Sequence, residues 1–232
     1  MREIIFDTET TGFDPKTGDR LVEIGCVELV DRRETGVTFH AYFNPERDMP
    51  AAAEAVHGLS SQFLSDKPLF AARVDELLEF FGDAPLIAHN AAFDFGFVNA
   101  ELARIGRPAL DMARMCCTVQ MARKLHPGAK HSLDALCTRY GIDRSHRIKH
   151  GALLDAELLA HLYIEMTGGR QIGLGLASSS APAAASSTSS DRPSDSVRPF
   201  REPRPHMAST AELARHAEFV AGLKQPLWLD TM

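Results

Sequence analysis

Tryptophan is almost missing from this chain, one residue in 232, and tyrosine occurs only three times. Any ring that stacks on a ligand must come mainly from the 13 phenylalanines or 10 histidines. Cysteine is scarce too. Cys26, Cys116, Cys117 and Cys137 form no C-x-x-C pair, which argues against a zinc cage. Few thiols at such spacings point to a reducing, cytoplasmic setting. No run approaches the ~18 uncharged apolar residues of a membrane-spanning helix, so no membrane partner is expected. The opening stretch MREIIFDTETTG lacks the basic segment, apolar core and small-residue cleavage site of a secretory leader. Positive charge is in deficit as well. With a net charge of −6, the chain is not one that holds nucleic acid by charge alone.

What is present is an ordinary globular composition, 44% hydrophobic and 24% charged, in a length that predicts one domain with an appendage. The pattern changes near Gly168. Residues 1–170 read as a mixed α/β domain. Glu3–Phe6, Leu21–Val30 and Val37–Phe43 are expected strands, the last two joined by a polar turn around Arg32–Gly36. Leu86–Ala88 is a further short, buried strand. Helices are expected over Leu69–Phe81, Phe93–Ile105, His131–Tyr140 and Gly151–Met166, several of them stopped by glycine. Strands first, then strands alternating with helices, predict a mixed central sheet flanked by helices.

Residues 171–206 are expected to form a linker. Between Ala177 and His206, 20 of 30 residues are Ala, Ser, Thr or Pro, too little apolar surface to offset ordering entropy. A flexible C-terminal tail follows from that reading. Over residues 207–232 periodicity returns. Ser209 and Glu212 fit a capping box, and Leu213, Ala217, Val220 and Ala221 fall near one helical face. With Trp228 near the end, this segment is expected to dock on a partner.

Three short pieces carry the chemistry. In Asp7-Thr8-Glu9, strand alternation points both carboxylates the same way. With no Lys or Arg between them, a divalent cation would offset their repulsion, and oxygen ligands suit Mg²⁺ or Mn²⁺. In His89-Asn90-Ala91-Ala92-Phe93-Asp94, a buried strand enters a helix capped by Asn90, with Asp94 in the first turn. In His150-Gly-Ala-Leu-Leu-Asp155, regular helix would place the two functional residues ~140° apart. They converge only if the helix starts after His150, and Gly151 makes that break. Each piece alone also has an ordinary reading: a solvated strand end, a helix-start charge, a surface histidine.

Together, and in this order, the pieces resemble the DEDDh family of 3′–5′ exonucleases, whose members have a ribonuclease-H-like fold. The resemblance covers residues 1 to about 170. Val22-Glu-Ile-Gly25, Val56-His-Gly58, Ser132-Leu-Asp-Ala-Leu-Cys137 and Met166-Thr-Gly-Gly169 extend it toward the proofreading members that accompany bacterial replicative polymerases. The resemblance implies hydrolysis of the terminal phosphodiester at a DNA 3′ end, releasing a nucleoside 5′-monophosphate. It implies two divalent ions, with Asp7 shared between them, Glu9 and Asp155 on the side of the attacking water, and Asp94 supporting the second. His150 would accept the proton of the water; an ordinary imidazole, pKa about 6.5, is neutral at working pH. Free-standing relatives that trim RNA or short oligonucleotides use the same five residues.

The resemblance also places Thr10, Thr11, Gly12, Phe13, Val56, His57, His89 and Phe93 near the terminal nucleotide. For Phe13 and Phe93, core packing is the other reading. Residues 114–150 hold eight Lys/Arg against two Asp, either a track for the DNA backbone or a solvated face. Gln171-Ile-Gly-Leu174-Gly-Leu176 is similar to the peptides that seat polymerase subunits in the sliding clamp. The terminal segment, with Leu213, Val220 and Trp228, would dock on the polymerase catalytic subunit. A small accessory subunit completes the implied partners.

Overall fold

The computed structural model describes residues 1–145, 149–168 and 207–223. The chain divides into two compact units, Met1–Ala177 and Ser178–Met232. At the centre of the first lies β1 (Arg2–Thr10). It pairs antiparallel with β2 (Leu21–Val30) and parallel with β4 (Leu86–Ala88). With β3 (Arg33–Tyr42) and β5 (Met115–Cys117) at the edges, the sheet order is β3-β2-β1-β4-β5.

Because β1 is covered on both faces, it reads Ile-Ile-Phe without alternation. Ile4 and Phe6 face a core shared with α3 (Phe70–Phe81) and α4 (Ala91–Arg104). Ile5 faces a second core shared with α5 (Thr118–Leu125), α6 (Leu133–Tyr140) and α7 (Ala152–Met166). The result is the mixed sheet flanked by helices that the sequence pattern predicts, in keeping with the ribonuclease-H-like fold that the resemblance implies.

Several boundaries differ from the sequence expectation. β1 continues four residues past Phe6, so Asp7 and Glu9 lie within the strand. The β2–β3 turn is tighter than Arg32–Gly36. Asp31 and Arg32 both take positive φ, 50° and 60°, and Val30 pairs directly with Arg33. Two consecutive left-handed residues give the backbone twist that a two-residue hairpin requires. Two short helices, α1 (Ala51–His57) and α2 (Ser61–Leu64), were not foreseen, nor were α5 and β5.

The loop from Thr11 to Arg20 is fastened at its far end. The Arg20 guanidinium donates two hydrogen bonds to Glu101 of α4, at 2.7 and 3.0 Å, and Glu101 is buried. Thr11 and Arg20 also exchange hydrogen bonds across the base of the loop.

The second unit holds α8 (Thr210–Ala221), opened by the expected capping box. The Ser209 hydroxyl accepts from the Glu212 N–H, and the Glu212 carboxylate accepts from the Ser209 N–H. Leu213 and Phe219 are exposed on this helix, whereas Val220 is buried. Gln171, Leu174, Leu176, the stretch 177–206 and Trp228 lie outside the described residues.

Candidate active site

The site is assembled at the end of β1. Alternation along that strand sends Asp7 and Glu9 toward the α7 layer and Thr8 toward the α4 layer. On the first side, α7 begins only at Ala152. Gly151 caps it in an extended conformation, φ −155°, leaving His150 outside the helix and Asp155 in the first turn. His150 Nδ1 therefore sits 3.2 Å from Asp155 Oδ2. Glu9 joins them: one ligand atom from each of Glu9, His150 and Asp155 lies within 4.8 Å of the others. Asp155 is buried, Glu9 half-buried and His150 exposed, so the cluster opens to solvent on its histidine side.

Two contacts hold that arrangement against the sheet. Gly25 pairs opposite Asp7, and a Cβ built on it would fall 2.2 Å from the backbone nitrogen of Leu153. The first turn of α7 thus rests directly on bare strand backbone. The His150 N–H points to the Val56 carbonyl at 3.4 Å, tying the histidine to the end of α1.

Asp94 arrives from the other layer. Asn90 stands at the start of α4, but its side chain makes no capping hydrogen bond, contrary to the sequence expectation. Its backbone is instead left-handed, φ 68°, a conformation asparagine tolerates better than most residues. Asp94 in the first turn is 2% exposed. Burial pushes its carboxyl up to about 7, against the opposing pull of hydrogen bonds led by that from Thr8. The Thr8 hydroxyl donates to Asp94 Oδ1 at 2.7 Å.

Asp7, Glu9, Asp94, His150 and Asp155 all line one open cavity of about 280 Å³. No Lys or Arg is among its described lining residues. The carboxylates of Asp7, Glu9, Asp94 and Asp155 form an oxygen-rich donor set, and it fits hard divalent cations such as Mg²⁺ or Mn²⁺. His89 lines the same cavity, its Nδ1 2.9 Å from Thr118 Oγ1, and burial lowers its pKa. Thr8, Ser132, Leu133 and Asp134 line it too. Sequence reasoning assigned them no role in the site. The signal for Thr8 was a hydroxyl placed between two acids.

A second cavity of about 500 Å³ adjoins the first, with Thr8, Glu9 and Phe93 lining both. Thr10, Thr11, Gly12, Phe13, Val56 and His57 complete the part that the sequence singled out. Its volume is in the range of ordinary ligand pockets. Phe13 is 90% exposed, which rules out core packing for that ring. Phe93 is half-buried and packs on Phe97, with ring centroids 4.9 Å apart, so it serves the helix face and both cavities together. His57 is buried. Its Nδ1 accepts from the Leu59 N–H at 3.1 Å, which places the proton of the neutral ring on Nε2. Burial lowers its pKa and keeps the ring neutral at pH 7.

The basic stretch divides by role. Arg114 donates to the Ala84 and Phe81 carbonyls and belongs to the fold. Arg123, Lys124, Lys130, Arg139, Arg144 and Lys149 are exposed, and Arg147 lies outside the described residues.

Acidic side chains gathered on a ribonuclease-H-like sheet define a metal-dependent nuclease, and the Exonuclease family, RNase_T, matches residues 4–163. DNA polymerase III subunit epsilon of Rickettsia felis is 53% identical over 174 residues, covering 74% of this chain and 76% of that protein. The Escherichia coli protein of the same name is 46% identical over 176 residues, 73% of this chain and 72% of the other. Among solved structures, exonuclease X in complex with 5′ overhanging duplex DNA superposes with a TM-score of 0.55 at 26% identity, covering 71% of this chain and 90% of that one. The chain belongs to the DEDDh exonucleases, in the family of DNA polymerase III epsilon subunits.

Proposed function

We propose that this chain removes misincorporated nucleotides from the 3′ end of DNA during bacterial replication, hydrolysing the terminal phosphodiester to a nucleoside 5′-monophosphate. The observation that carries the reading is the meeting of Glu9, His150 and Asp155, from segments about 140 residues apart, within 4.8 Å. It occurs in a chain 53% identical to a DNA polymerase III epsilon subunit.

In this reading Asp7, Glu9, Asp94 and Asp155 hold two divalent ions, Mg²⁺ or Mn²⁺. When bound, such a pair supplies positive charge to the attacking and leaving oxygens. Glu9 and Asp155, with Asp7, would hold the ion that supplies charge beside the attacking water, and Asp94, with Asp7, would hold the other. His150 takes the proton from that water. Its exposed ring and its 3.2 Å contact with Asp155 suit a base that is oriented by a carboxylate yet open to solvent. Thr10, Thr11, Gly12, Val56, His57, His89 and Phe93 receive the terminal nucleotide. Phe13, exposed at the rim, offers a stacking surface indifferent to base identity.

The same kinship supports a reading of the partners. The segment with Leu213, Val220 and Trp228 docks on the polymerase III catalytic alpha subunit, and Gln171–Leu176 binds the sliding clamp. A small accessory subunit joins the assembly, and the site of action is the cytoplasm. Weak intrinsic hold on DNA, expected of a net charge of −6, is offset by tethering to a polymerase that already holds the primer.

The direct test is a 3′-labelled DNA primer with a terminal mismatch, incubated with purified protein and Mg²⁺ or Mn²⁺. Release of labelled 5′-monophosphate, stopped by EDTA, is expected. Cleavage confined to RNA, together with failure to co-purify with the replicative polymerase, would establish the free-standing RNA-trimming alternative instead.

A further inference from the structure

Asp94 stands apart from the other site acids in how it is delivered. Asp7 and Glu9 project from one face of β1, and Asp155 descends on that face from α7. Asp94 projects from α4, which packs against the opposite face. Two layers that pack independently must therefore be brought into register for the carboxylates to work as one set.

The link between the layers is Thr8. It lies between Asp7 and Glu9 in the chain, so its backbone moves with theirs, while its side chain points the other way. Its hydroxyl donates to Asp94 Oδ1 at 2.7 Å, and both residues are buried, 6% and 2% exposed. A hydrogen bond to a carboxylate shielded from water fixes both position and rotation. Groups that orient metal-bearing carboxylates commonly change metal affinity by ~10–100-fold when removed.

We infer that Thr8 is a positioning residue that locks Asp94 to the strand carrying Asp7 and Glu9, and so sets the affinity for the second divalent ion. The inference rests on the two-ion reading above. It requires the donor atom, not the volume. Thr8→Val keeps the shape and removes the hydroxyl; Thr8→Ser keeps the hydroxyl and removes the methyl.

The test is Mn²⁺ titration of the metal-stripped full chain, followed by the loss of the free-ion electron paramagnetic resonance signal, with no substrate present. Wild type and Thr8→Ser should bind two ions with affinities within threefold of each other. Thr8→Val should keep one ion at wild-type affinity and bind the other at least tenfold more weakly. Near-ultraviolet circular dichroism reports whether each metal-free variant is native. Should Thr8→Val not fold, Thr8→Ala is read in the same titration. The inference is overturned if the variant without the hydroxyl binds both ions as wild type does, weakens both equally, or is matched by Thr8→Ser. A wild type that binds fewer than two ions would instead bring down the two-ion reading itself.

Discussion

Gly25 of β2 and Leu153 of α7 meet backbone to backbone, with 2.2 Å between the Leu153 nitrogen and the place where a Cβ on Gly25 would stand. That closeness sets the height of α7 above the sheet. Asp155 is two residues further along the helix, and Asp7 is Gly25's partner across the strands. Gly25→Ala therefore collides with main chain, which cannot rotate away as a side chain can. We expect a loss of stability of about 1–3 kcal/mol, the usual cost of forced overpacking. Turnover should fall at least 100-fold, because Asp155 is lifted from its partners. Urea unfolding and cleavage of a single-stranded oligonucleotide measure the two effects, and wild-type turnover in the variant would break the connection.

His150 can be separated from the carboxylates by its exposure. His150→Ala should slow turnover by roughly 10²–10⁴, the ordinary contribution of a positioned base. Mn²⁺ binding should survive. Asp7→Ala, by contrast, should lose metal binding and activity together. A His150→Ala variant with unaltered turnover would remove the imidazole from proton transfer.

Asp94 should make the metal-free protein sensitive to alkali. Its carboxyl is raised from the ordinary 3.8 to about 7 by burial. The folded state thus binds a proton that the unfolded state releases, and the associated stability is full below about pH 4. It is lost as pH rises through about 7. At up to three or so pKa units, the loss approaches ~4 kcal/mol. In EDTA, wild type should therefore lose stability relative to Asp94→Asn between pH 4 and 8, and Mn²⁺ at pH 8 should restore it. Parallel stability curves for the two proteins would contradict the account.

The two docking segments should fail separately. Truncation after Ala177, the last residue of the first unit, should leave hydrolysis of single-stranded DNA within threefold of the full chain and abolish capture of the polymerase alpha subunit. Gln171→Ala in the full chain should abolish clamp binding and spare alpha. Surface-immobilised clamp and alpha distinguish these outcomes, and retention of alpha by the truncated chain would relocate that interface.

The sequence marked the residues that line the first cavity more fully than it marked the short elements of the frame. Asp7 and Glu9 could be singled out as two acids on one face of a strand, and Asp94, His150 and Asp155 because each sits at a recognisable junction, a strand-to-helix turn or a glycine break before a helix. The long, periodic elements β2, α3 and α7 could be read for the same reason. Helices α1 and α2 escaped, since seven and four residues hardly repeat a helical pattern, and α5, as long as α6, lacks the capping side chain and terminal glycine that mark α6. The hairpin turn was misplaced because Asp31 and Arg32 adopt left-handed backbone without a glycine. Asn90 was assigned a capping side chain when its backbone conformation is what the junction uses. The sequence shows the Thr8 hydroxyl between two acids but not its partner, Asp94. Alternation sets Thr8 facing away from its acidic neighbours, and only the fold shows Asp94 waiting on that side.

Drawing the acids from both faces of one sheet carries a safeguard. A nascent or damaged chain in which either layer has yet to settle possesses some of the acidic groups but never the full complement. Such a chain is inert toward the genome it is meant to correct. An enzyme that erodes DNA ends is thus armed only when both layers are in place.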